Sequence, residues 1–252
     1  MSTSNLKQAV TKDRFDAVLF DLDGVLTDTA RVHADCWKRL FDDFLRRRAA
    51  ELNEPFRPFE IATDYKLYVD GRPRSDGIRG FLESRSIQVP YGDPESPPNN
   101  ETICGLGNLK DGMVKEVLDA EGVEAYEGSV AFVHHLRSQG IKTAVVSASS
   151  NCETVLKAAG IADLFDARVD GKDIAQLKLA GKPAPDTFLK AAEDLGVVPK
   201  RAVIVEDAIS GVQAGRDGGF GLVIGVDRKD DAKALSENGA DIVVTDVGEM
   251  LR

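Results

Sequence analysis

Residues 16–24 read Asp-Ala-Val-Leu-Phe-Asp-Leu-Asp-Gly, an apolar run that stops at Asp21 and Asp23 and is followed by Gly24. Side chains at positions i and i+2 of an extended chain point to the same side, so both carboxylates project together from a strand end. Two adjacent carboxylates repel, and one holds a proton unless a cation lies between them. One could then be a nucleophile and its neighbour a proton donor. The alternative is a plain strand-to-turn junction, because Asp and Gly are common after strands.

Three further segments place polar side chains after apolar runs or in a rigid turn. They read Thr-Ala-Val-Val-Ser-Ala-Ser at 143–149, Gly-Lys-Pro-Ala-Pro-Asp at 181–186 and Ala-Val-Ile-Val-Glu-Asp at 202–207. Their candidate functional side chains are Ser147, Ser149, Lys182, Glu206 and Asp207. Ligands of an open parallel sheet bind beyond the carboxyl ends of its strands, so we expect these groups to converge with Asp21 and Asp23.

The remaining pattern predicts an α/β fold with a doubly wound parallel sheet. Short runs of Val, Ile and Ala are typical of strands buried on both faces, and they alternate with helical segments. Strands are predicted at 17–20, 142–147, 202–205, 221–226 and 242–244, and helices at 130–138, 152–159, 184–195 and 209–217. This alternation of strands and helices is typical of a doubly wound sheet.

The pattern becomes mostly helical between the first two motifs. Apolar residues from Val32 to Phe44 recur at helical spacing, and further helices are predicted over 76–86 and 108–120, with an exposed loop over 90–100. The sequence thus predicts a core domain of residues 1–29 and 127–252. A helical cap domain of residues 30–126 is inserted into it, with hinges near 28–30 and 124–128.

Composition limits the classes of partner. The chain has 252 residues, 42% of them hydrophobic, and a net charge of −10, which argues against nucleic-acid and anionic-membrane partners. Three cysteines without metal-site spacing indicate reduced thiols. Residues 1–12 lack the apolar region of a signal peptide, and no apolar run reaches membrane-span length. We therefore expect a cytoplasmic protein, and nothing in the pattern demands more than a monomer.

The order of the motifs resembles the haloacid-dehalogenase-like (HAD-like) superfamily of aspartate-based phosphotransferases. The resemblance covers most of the chain. It implies an enzyme with a Rossmannoid core, an inserted cap, an aspartyl-phosphate intermediate and Mg²⁺. Dehalogenase chemistry is disfavoured, because it requires neither the second aspartate nor the full pair of metal carboxylates.

Four core residues are predicted to be catalytic. Asp21 is the expected nucleophile, because a carboxylate can attack phosphorus in line and leave as an acyl phosphate. Asp23 is the expected general acid–base, which protonates the leaving oxygen and deprotonates the next acceptor. Ser147 and Lys182 are expected to hold the transferring phosphoryl group, whose charge spreads over three oxygens. Gly181 and the neighbouring prolines restrict the backbone of Lys182.

A magnesium site is predicted beside the nucleophile. Mg²⁺ prefers carboxylates, carbonyls and water, so Glu206 and Asp207 are expected to complete a site with Asp21. Asp207 is the expected direct ligand, and Glu206 either a ligand or a hydrogen-bond partner of the ligands. The resemblance adds the backbone carbonyl of Asp23 as a ligand. The alternative for Asp207 is a helix N-cap before residue 209, and both roles can coexist.

The region after the first motif resembles the β-phosphoglucomutase-like family. Thr29, His33 and Trp37 in FDLDGVLTDTARVHADCW, residues 20–37, follow the first motif at that family's spacing. A half-buried helix histidine is the alternative for His33. Residues 71–76, Gly-Arg-Pro-Arg-Ser-Asp, are similar to the cap loop whose arginine holds the distal phosphate of the substrate.

The resemblance assigns the remaining substrate-binding residues. Arg74 matches the arginine of that loop, with Gly71 and Arg72 beside it, and an arginine fork suits bidentate phosphate recognition. An ordinary solvated arginine is the alternative for Arg74. Lys110 resembles a cap lysine that faces the site. Ser149 and Asn151 match phosphate- and sugar-facing positions.

One departure from the family pattern bears on substrate binding. Ser150 stands where the family usually has lysine, which removes a positive donor. Arg72 could compensate for that loss. The cap is also longer than in the small mutases, mainly around residues 89–106.

The expected function is that of an isomerase of carbohydrate metabolism. It would interconvert β-glucose 1-phosphate and glucose 6-phosphate through the 1,6-bisphosphate, so its partners are hexose monophosphates and bisphosphates. The first alternative is a sugar-phosphate phosphatase, a hydrolase with the same core. The remote alternative is a non-catalytic sugar-phosphate-binding module, which would not need the full set of Asp21, Asp23, Lys182 and Asp207.

Overall fold

The computed structural model describes Leu6 and residues 8–251 and divides into two compact units. The core domain comprises Met1–Thr29 and Val123–Arg252, and the cap domain comprises Ala30–Gly122. The prediction that residues 1–12 form no signal peptide falls partly on residues 1–5 and 7, which lie outside the described residues.

The second boundary lies four residues before the predicted one at 126/127, because the intervening segment pairs with the loop after the first motif. The backbone N–H of Asp28 donates to the carbonyl of Glu124 at 3.0 Å, and that of Tyr126 donates to Leu26 at 2.9 Å. Residues 123–126 are therefore part of the core domain.

A six-stranded sheet organises the core domain. Its strands are β1 Ala17–Phe20, β2 Lys142–Val146, β3 Ala167–Val169, β4 Ala202–Glu206, β5 Leu222–Val226 and β6 Ile242–Val244. The order is β3-β2-β1-β4-β5-β6, and every pairing is parallel. Phe20 is level with Val145 on one side and with Val205 on the other. This is a doubly wound α/β sheet, which confirms the predicted fold class.

Helices cover the sheet and build the cap. The cap helices are α1 Ala30–Leu52, α2 Arg74–Ser84 and α3 Ile103–Glu121. The core helices are α4 Glu127–Ser138, α5 Cys152–Ala158, α6 Gly171–Leu177, α7 Asp186–Asp194, α8 Ile209–Asp217 and α9 Ala232–Asn238. A π-helical segment, Ile61–Val69, lies between α1 and α2, and short 3₁₀ turns occupy Ala162–Leu164, Pro199–Arg201 and Val247–Leu251.

The central strands are largely apolar because both faces of the sheet are covered. Every residue of β1 is buried. On one face Leu19 and Ile204 pack in a cluster with Phe188 of α7. On the other face the ring of Phe20 packs edge-on against Phe132 of α4, with centroids 6.2 Å apart. Each such side chain contributes about 1.5–3 kcal/mol through its burial.

The cap domain has its own aromatic core. Trp37 and Phe41 on α1 stack with ring centroids 5.3 Å apart. The ring centroid of Phe81 on α2 lies 4.2 Å from that of Phe41 and 4.9 Å from that of Phe59. The buried side of α1 is the apolar stripe that the helical spacing predicts.

Several elements differ from the predicted ones. The cap helix predicted over 108–120 begins at Ile103, because the Thr102 hydroxyl accepts the N–H of Gly105 at 3.0 Å and caps it. The helix predicted over 76–86 begins at Arg74 and ends at Ser84. The elements β3, α6, α9 and the π-helical segment were not predicted.

Two further observations concern the environment of the chain. Cys36, Cys104 and Cys152 are all free thiols, and burial raises the pKa of each. Across Leu6 and residues 8–251, no helix has the length and apolar character needed to span a bilayer.

Candidate active site

The candidate site lies where the strand order reverses. The chain adds β2 and β3 on one side of β1, then returns to add β4, β5 and β6 on the other. Crevices at the carboxyl ends of such strands bind ligands. Asp21 directly follows β1, and its N–H donates to Val205 of β4 at 2.9 Å. Glu206 ends β4, so the strand pairing places it level with Asp21.

Three carboxylates meet at this edge of the sheet. Oxygens of Asp21, Glu206 and Asp207 lie within 4.8 Å of one another. Glu206 is fully buried, and the other two residues are each 6% exposed. Three buried negative charges at this spacing repel one another strongly, so the cluster requires cations.

Lys182 supplies one cation to the cluster. Its Nζ donates to Asp21 Oδ1 at 2.5 Å, to the carbonyl of Val146 at 3.3 Å, and to the carboxylate of Glu206. The lysine comes from the turn before α7, where the N–H of Ala184 donates to Gly181 at 3.0 Å and the Lys182–Pro183 peptide is cis. This proline-bounded turn places the Lys182 ammonium beside Asp21, at the end of β1.

Burial shifts the proton affinities of these groups. It raises the pKa of Asp21 well above its usual range; the Lys182 charge opposes this shift and Glu206 adds to it. Burial likewise raises the pKa of Glu206. Burial alone would lower the pKa of Lys182, but Asp21 and Glu206 outweigh it and raise that pKa. Lys182 is therefore a fixed positive charge among three carboxyl groups.

Asp207 lies between a glycine and a second lysine. Lys229 Nζ is 3.1 Å from Asp207 Oδ2. A Cβ added to Gly24 would lie 2.3 Å from the same oxygen, so only glycine permits this approach. The N-cap of α8 is Ala208, without a side-chain cap bond. The alternative interpretation of Asp207 as a helix N-cap is therefore wrong, because its carboxylate turns toward Gly24 and Lys229.

Asp23 is oriented by two threonines. The Thr29 hydroxyl donates to Asp23 Oδ1, and the Thr27 and Thr29 hydroxyls are 2.9 Å apart. Because Thr29 gives its proton to Asp23, the Thr27 hydroxyl is the donor between the two threonines, and it also lies 3.3 Å from the carbonyl of Leu22. This chain of hydroxyls fixes one carboxylate oxygen of a half-buried Asp23.

The loop after β2 orders three predicted residues. The N–H of Ser147 donates to Val169 of β3 at 3.0 Å. The Ser147 hydroxyl accepts the N–H of Ser149 at 3.1 Å, and the Ser149 hydroxyl accepts the N–H of Asn151 at 3.2 Å. A hydroxyl that accepts an N–H keeps its own proton to donate. Both serines can therefore donate to an anion.

In the cap domain, three predicted residues form one contact group. Lys110 Nζ lies 2.7 Å from His33 Nδ1 and 5.0 Å from the centre of the Trp37 ring. Trp37 and Lys110 are 3% and 5% exposed. Trp37 thus belongs to the aromatic core of the cap, and His33 is half-buried on α1.

Arg74 is the first residue of α2 and contacts α3. Its Nη1 is 3.3 Å from Asp111 Oδ2, and its Nη2 donates to Asn108 Oδ1 at 3.3 Å. Gly71, at φ +70°, and the half-buried Arg72 lie in the turn before it. The ion pair fixes the Arg74 guanidinium, so the interpretation as an ordinary solvated arginine does not describe it.

Sequence reasoning missed a second group in the core domain. Arg228 Nε donates to the carbonyl of Gly24 at 2.9 Å, and its guanidinium carbon lies 3.8 Å from the centre of the Tyr126 ring. The Tyr126 hydroxyl donates to Asp28 Oδ1 at 2.8 Å. Arg228 and Lys229 follow β5, which carries no motif, so only the fold brings them to the first motif.

The carboxylate cluster fits a divalent cation. All three donors are hard oxygens, as Mg²⁺-type ions prefer. Among the described residues no hydrogen-bond donor satisfies the buried Asp207 Oδ2. The three carboxyl groups outnumber the buried lysine among them, Lys182, and a divalent ion would stabilise their ionised forms. The donor set thus supports a divalent metal site.

Comparisons with known proteins agree with this geometry. The model of the haloacid dehalogenase-like hydrolase family matches residues 15–219. A β-phosphoglucomutase of Mycobacterium bovis is 47% identical over 242 residues, which cover 95% of this chain and 92% of that protein.

Solved structures show the same fold. A β-phosphoglucomutase from Clostridium difficile has a TM-score of 0.72 at 24% identity and covers 93% of this chain and 92% of its own. CbbY from Rhodobacter sphaeroides, in complex with phosphate, has a TM-score of 0.67 at 25% identity, with coverages of 94% and 96%. The chain therefore belongs to the HAD-like superfamily and, within it, to the β-phosphoglucomutase-like family of enzymes that perform HAD-type phosphoryl transfer.

Proposed function

We propose that the protein is a β-phosphoglucomutase that interconverts β-glucose 1-phosphate and glucose 6-phosphate through glucose 1,6-bisphosphate. The observation that carries the proposal is the 47% identity, over 95% of the chain, to the Mycobacterium bovis β-phosphoglucomutase. The cluster of Asp21, Lys182, Glu206 and Asp207 supplies the chemistry that this reaction needs.

Asp21 is the proposed nucleophile. A carboxylate oxygen of Asp21 attacks phosphorus as the bond from phosphorus to the sugar oxygen breaks, which leaves an acyl phosphate. The hydrogen bond from Lys182 at 2.5 Å fixes the other carboxylate oxygen and limits rotation of the carboxylate.

Asp23 is the proposed general acid–base. It gives its proton to the leaving sugar oxygen and later takes a proton from the accepting hydroxyl. The Thr29 hydroxyl donates to Asp23 Oδ1 and so orients the carboxylate for this proton exchange. Thr29 would thus act by positioning Asp23 as well as by binding substrate.

Fixed donors and a metal ion are proposed to stabilise the transferring group. Lys182 and the Ser147 hydroxyl, with Ser149 and Asn151 beside it, would bind its equatorial oxygens. Mg²⁺ is the proposed ion, held by the carboxylates of Asp21, Glu206 and Asp207 and by the Asp23 carbonyl. When bound, it neutralises the charge that develops on the phosphoryl oxygens.

The cap residues are proposed to recognise the rest of the sugar phosphate. Arg74, with Gly71 and Arg72, would bind the phosphate that is not being transferred, since a guanidinium fork matches its oxygens. Three further cap residues are proposed to bind the substrate: His33, Trp37 and Lys110. We also propose that the enzyme is a cytoplasmic monomer without nucleic-acid or membrane partners, in keeping with its net charge of −10.

A sugar-phosphate phosphatase is the second candidate. It uses the same acyl phosphate, with water as the acceptor in place of a sugar hydroxyl. The observation that favours it is Ser150, where the family pattern has lysine, because weaker binding of the accepting sugar phosphate favours transfer of the phosphoryl group from the acyl phosphate to water.

One assay separates the two candidates. Purified protein is incubated with Mg²⁺ and β-glucose 1-phosphate, primed with a little glucose 1,6-bisphosphate, and glucose 6-phosphate and free phosphate are followed together. Glucose 6-phosphate well ahead of phosphate supports the mutase, and phosphate alone supports the phosphatase. Asp21→Asn should remove both products, and turnover retained in that variant would overturn the assignment of the nucleophile.

A further inference from the structure

We propose that Lys229 is an internal counter-cation for Asp207, which a divalent metal displaces when it binds. Metal binding at this site would then be an exchange of cations rather than the filling of a free site. The inference rests on the metal site proposed above, and it concerns a residue outside the four motifs.

The contact itself is a close ion pair. Lys229 Nζ lies 3.1 Å from Asp207 Oδ2, with side-chain exposures of 22% for the lysine and 3% for the aspartate. The pair lacks hydrogen-bond geometry, so Oδ2 is neutralised without being saturated. The Asp207 carboxylate belongs to the same cluster of three carboxylates that fits a metal ion.

The loop after β5 presents Lys229 to the cluster. Asp227 Oδ1 accepts the N–H of Lys229 at 3.2 Å and the N–H of Asp231 at 2.7 Å, which fixes the turn. Arg228 anchors the same loop to the carbonyl of Gly24 at 2.9 Å. The backbone is therefore held, while the partly exposed lysine side chain can move toward solvent.

Lys182 and Lys229 differ in the exposure of their side chains. Lys182 has a side chain that is 2% exposed and bonds to two carboxylates and a carbonyl, so it is expected to stay when a metal binds. The Lys229 side chain is 22% exposed, so it has the route to solvent that the buried Lys182 lacks. A divalent ion on Asp207 would repel an ammonium on the same oxygen, so Lys229 is the cation that has to leave.

Metal titration tests the proposal without any assay of turnover. Binding of Mg²⁺ is measured by isothermal titration calorimetry for the wild type, Lys229→Met and Lys229→Arg. Lys233→Met is the matched control, since Lys233 is 87% exposed and pairs within α9 with Glu237 at 3.6 Å. We expect Lys229→Met to bind Mg²⁺ about five- to tenfold more tightly, the equivalent of one partly buried ion pair. Lys229→Arg and Lys233→Met should bind like the wild type.

Thermal unfolding gives a second readout. Without metal, Lys229→Met should melt below the wild type, because Asp207 loses its cation, and Mg²⁺ should raise its melting temperature more than that of the wild type. Equal or weaker Mg²⁺ binding by Lys229→Met would overturn the exchange. Absence of Mg²⁺ binding in every protein would overturn the metal site together with it, whereas a mutase assay that fails while Mg²⁺ still binds would count only against the proposed substrate.

Discussion

Gly24 lies against the carboxylate of Asp207, so close that a Cβ on residue 24 would be 2.3 Å from Oδ2. The same glycine has φ +86°, and its N–H donates to Thr27 at 2.8 Å while its carbonyl accepts from Arg228 at 2.9 Å. The glycine of the first motif thus fixes the loop after Asp23 and leaves room for a carboxylate of the last motif. The lack of a side chain at Gly24 therefore allows the first and last motifs, far apart in the sequence, to pack against each other.

Gly24→Ala should therefore disable the site more than it destabilises the fold. The methyl group displaces the Asp207 carboxylate, and the positive φ adds about 1–2 kcal/mol of strain. We expect at least about a tenfold loss of Mg²⁺ affinity, because a metal site loses that much when a ligand is misplaced. Calorimetric titration with Mg²⁺ measures it.

Gly219→Ala is the matched control for backbone strain. Gly219 has φ +68°, and a Cβ there meets no atom within 4 Å. It should lose similar stability and keep the Mg²⁺ affinity of the wild type. Equal affinity losses in both variants would mean that strain, and not the contact with Asp207, weakens the metal site.

Lys182→Met tests the cation at the centre of the cluster. Removing one partner of a buried ion pair leaves the other charges uncompensated, which destabilises proteins by about 3–5 kcal/mol. We expect a loss of this size in metal-free denaturant unfolding and a partial recovery in Mg²⁺, because the ion neutralises the same carboxylates.

Lys190→Met provides the comparison on the adjoining helix α7. Lys190 pairs with Asp194 and its side chain is 27% exposed, so the loss of stability should be much smaller than in Lys182→Met. Wild-type stability of Lys182→Met without metal would show that Asp21 and Glu206 do not depend on the ion pair.

The sequence predicted most closely the elements that an uninterrupted apolar run or a helical period marks. The bounds of β1, β6 and α8 agree with the predicted ones, because continuous apolar runs and helical spacing mark them. By contrast, β3 is a three-residue edge strand with an exposed Arg168, and α6 has no buried residue. Such elements carry no hydrophobic period. Asp170 and Asp173 form a capping box at the start of α6, a local signal that could have revealed it.

The residues of the site likewise fall into a group that the sequence predicted and a group that it did not. Asp21, Lys182, Glu206 and Asp207 are grouped by strand ends, so the order of motifs was enough to bring them together. Lys229 and Arg228 reach the site because β5 lies beside β4, and this adjacency is a property of the sheet order. No spacing in the sequence encodes it.

Asp16 should make stability depend on acid pH. Hydrogen bonding from Arg201 lowers the pKa of Asp16 from 3.8 to about 2, and the pair ties the residue before β1 to the residue before β4. A lowered pKa in the folded state stabilises the protein above about pH 4, and this contribution is lost as the pH falls through about 2. Asp16→Asn should therefore be less stable than the wild type at neutral pH, by about 1 kcal/mol or less because the pair is partly exposed.

Urea unfolding between pH 2 and pH 7 measures this difference. The gap between Asp16→Asn and the wild type should close toward pH 2, whereas the exposed Asp163→Asn should show no such gap. Activity should be unchanged in Asp16→Asn, since the pair lies at the amino ends of the strands. A gap that is constant with pH would mean that the charge of Asp16 is not what stabilises the pair.

Arg74→Ala distinguishes substrate binding from a structural role in the cap. Loss of a guanidinium that binds phosphate removes charge-assisted hydrogen bonds of about 1.5–3 kcal/mol, so kcat/KM for β-glucose 1-phosphate should fall about ten- to hundredfold. Hydrolysis of p-nitrophenyl phosphate should change little, because that ester has no second phosphate. Arg79→Ala, on the exposed side of the same helix, should leave both rates near those of the wild type.

The ion pair between Arg74 and Asp111, at 3.3 Å, makes a second comparison decisive. Asp111→Asn breaks the same ion pair but keeps the arginine. If Arg74 only supports the packing of α2 on α3, both variants should lose melting temperature and both rates together. If Arg74 binds the distal phosphate, Asp111→Asn should retain most of the mutase activity that Arg74→Ala loses. A melting temperature of Arg74→Ala near that of the wild type, with the selective loss of mutase activity, would assign the arginine to the substrate.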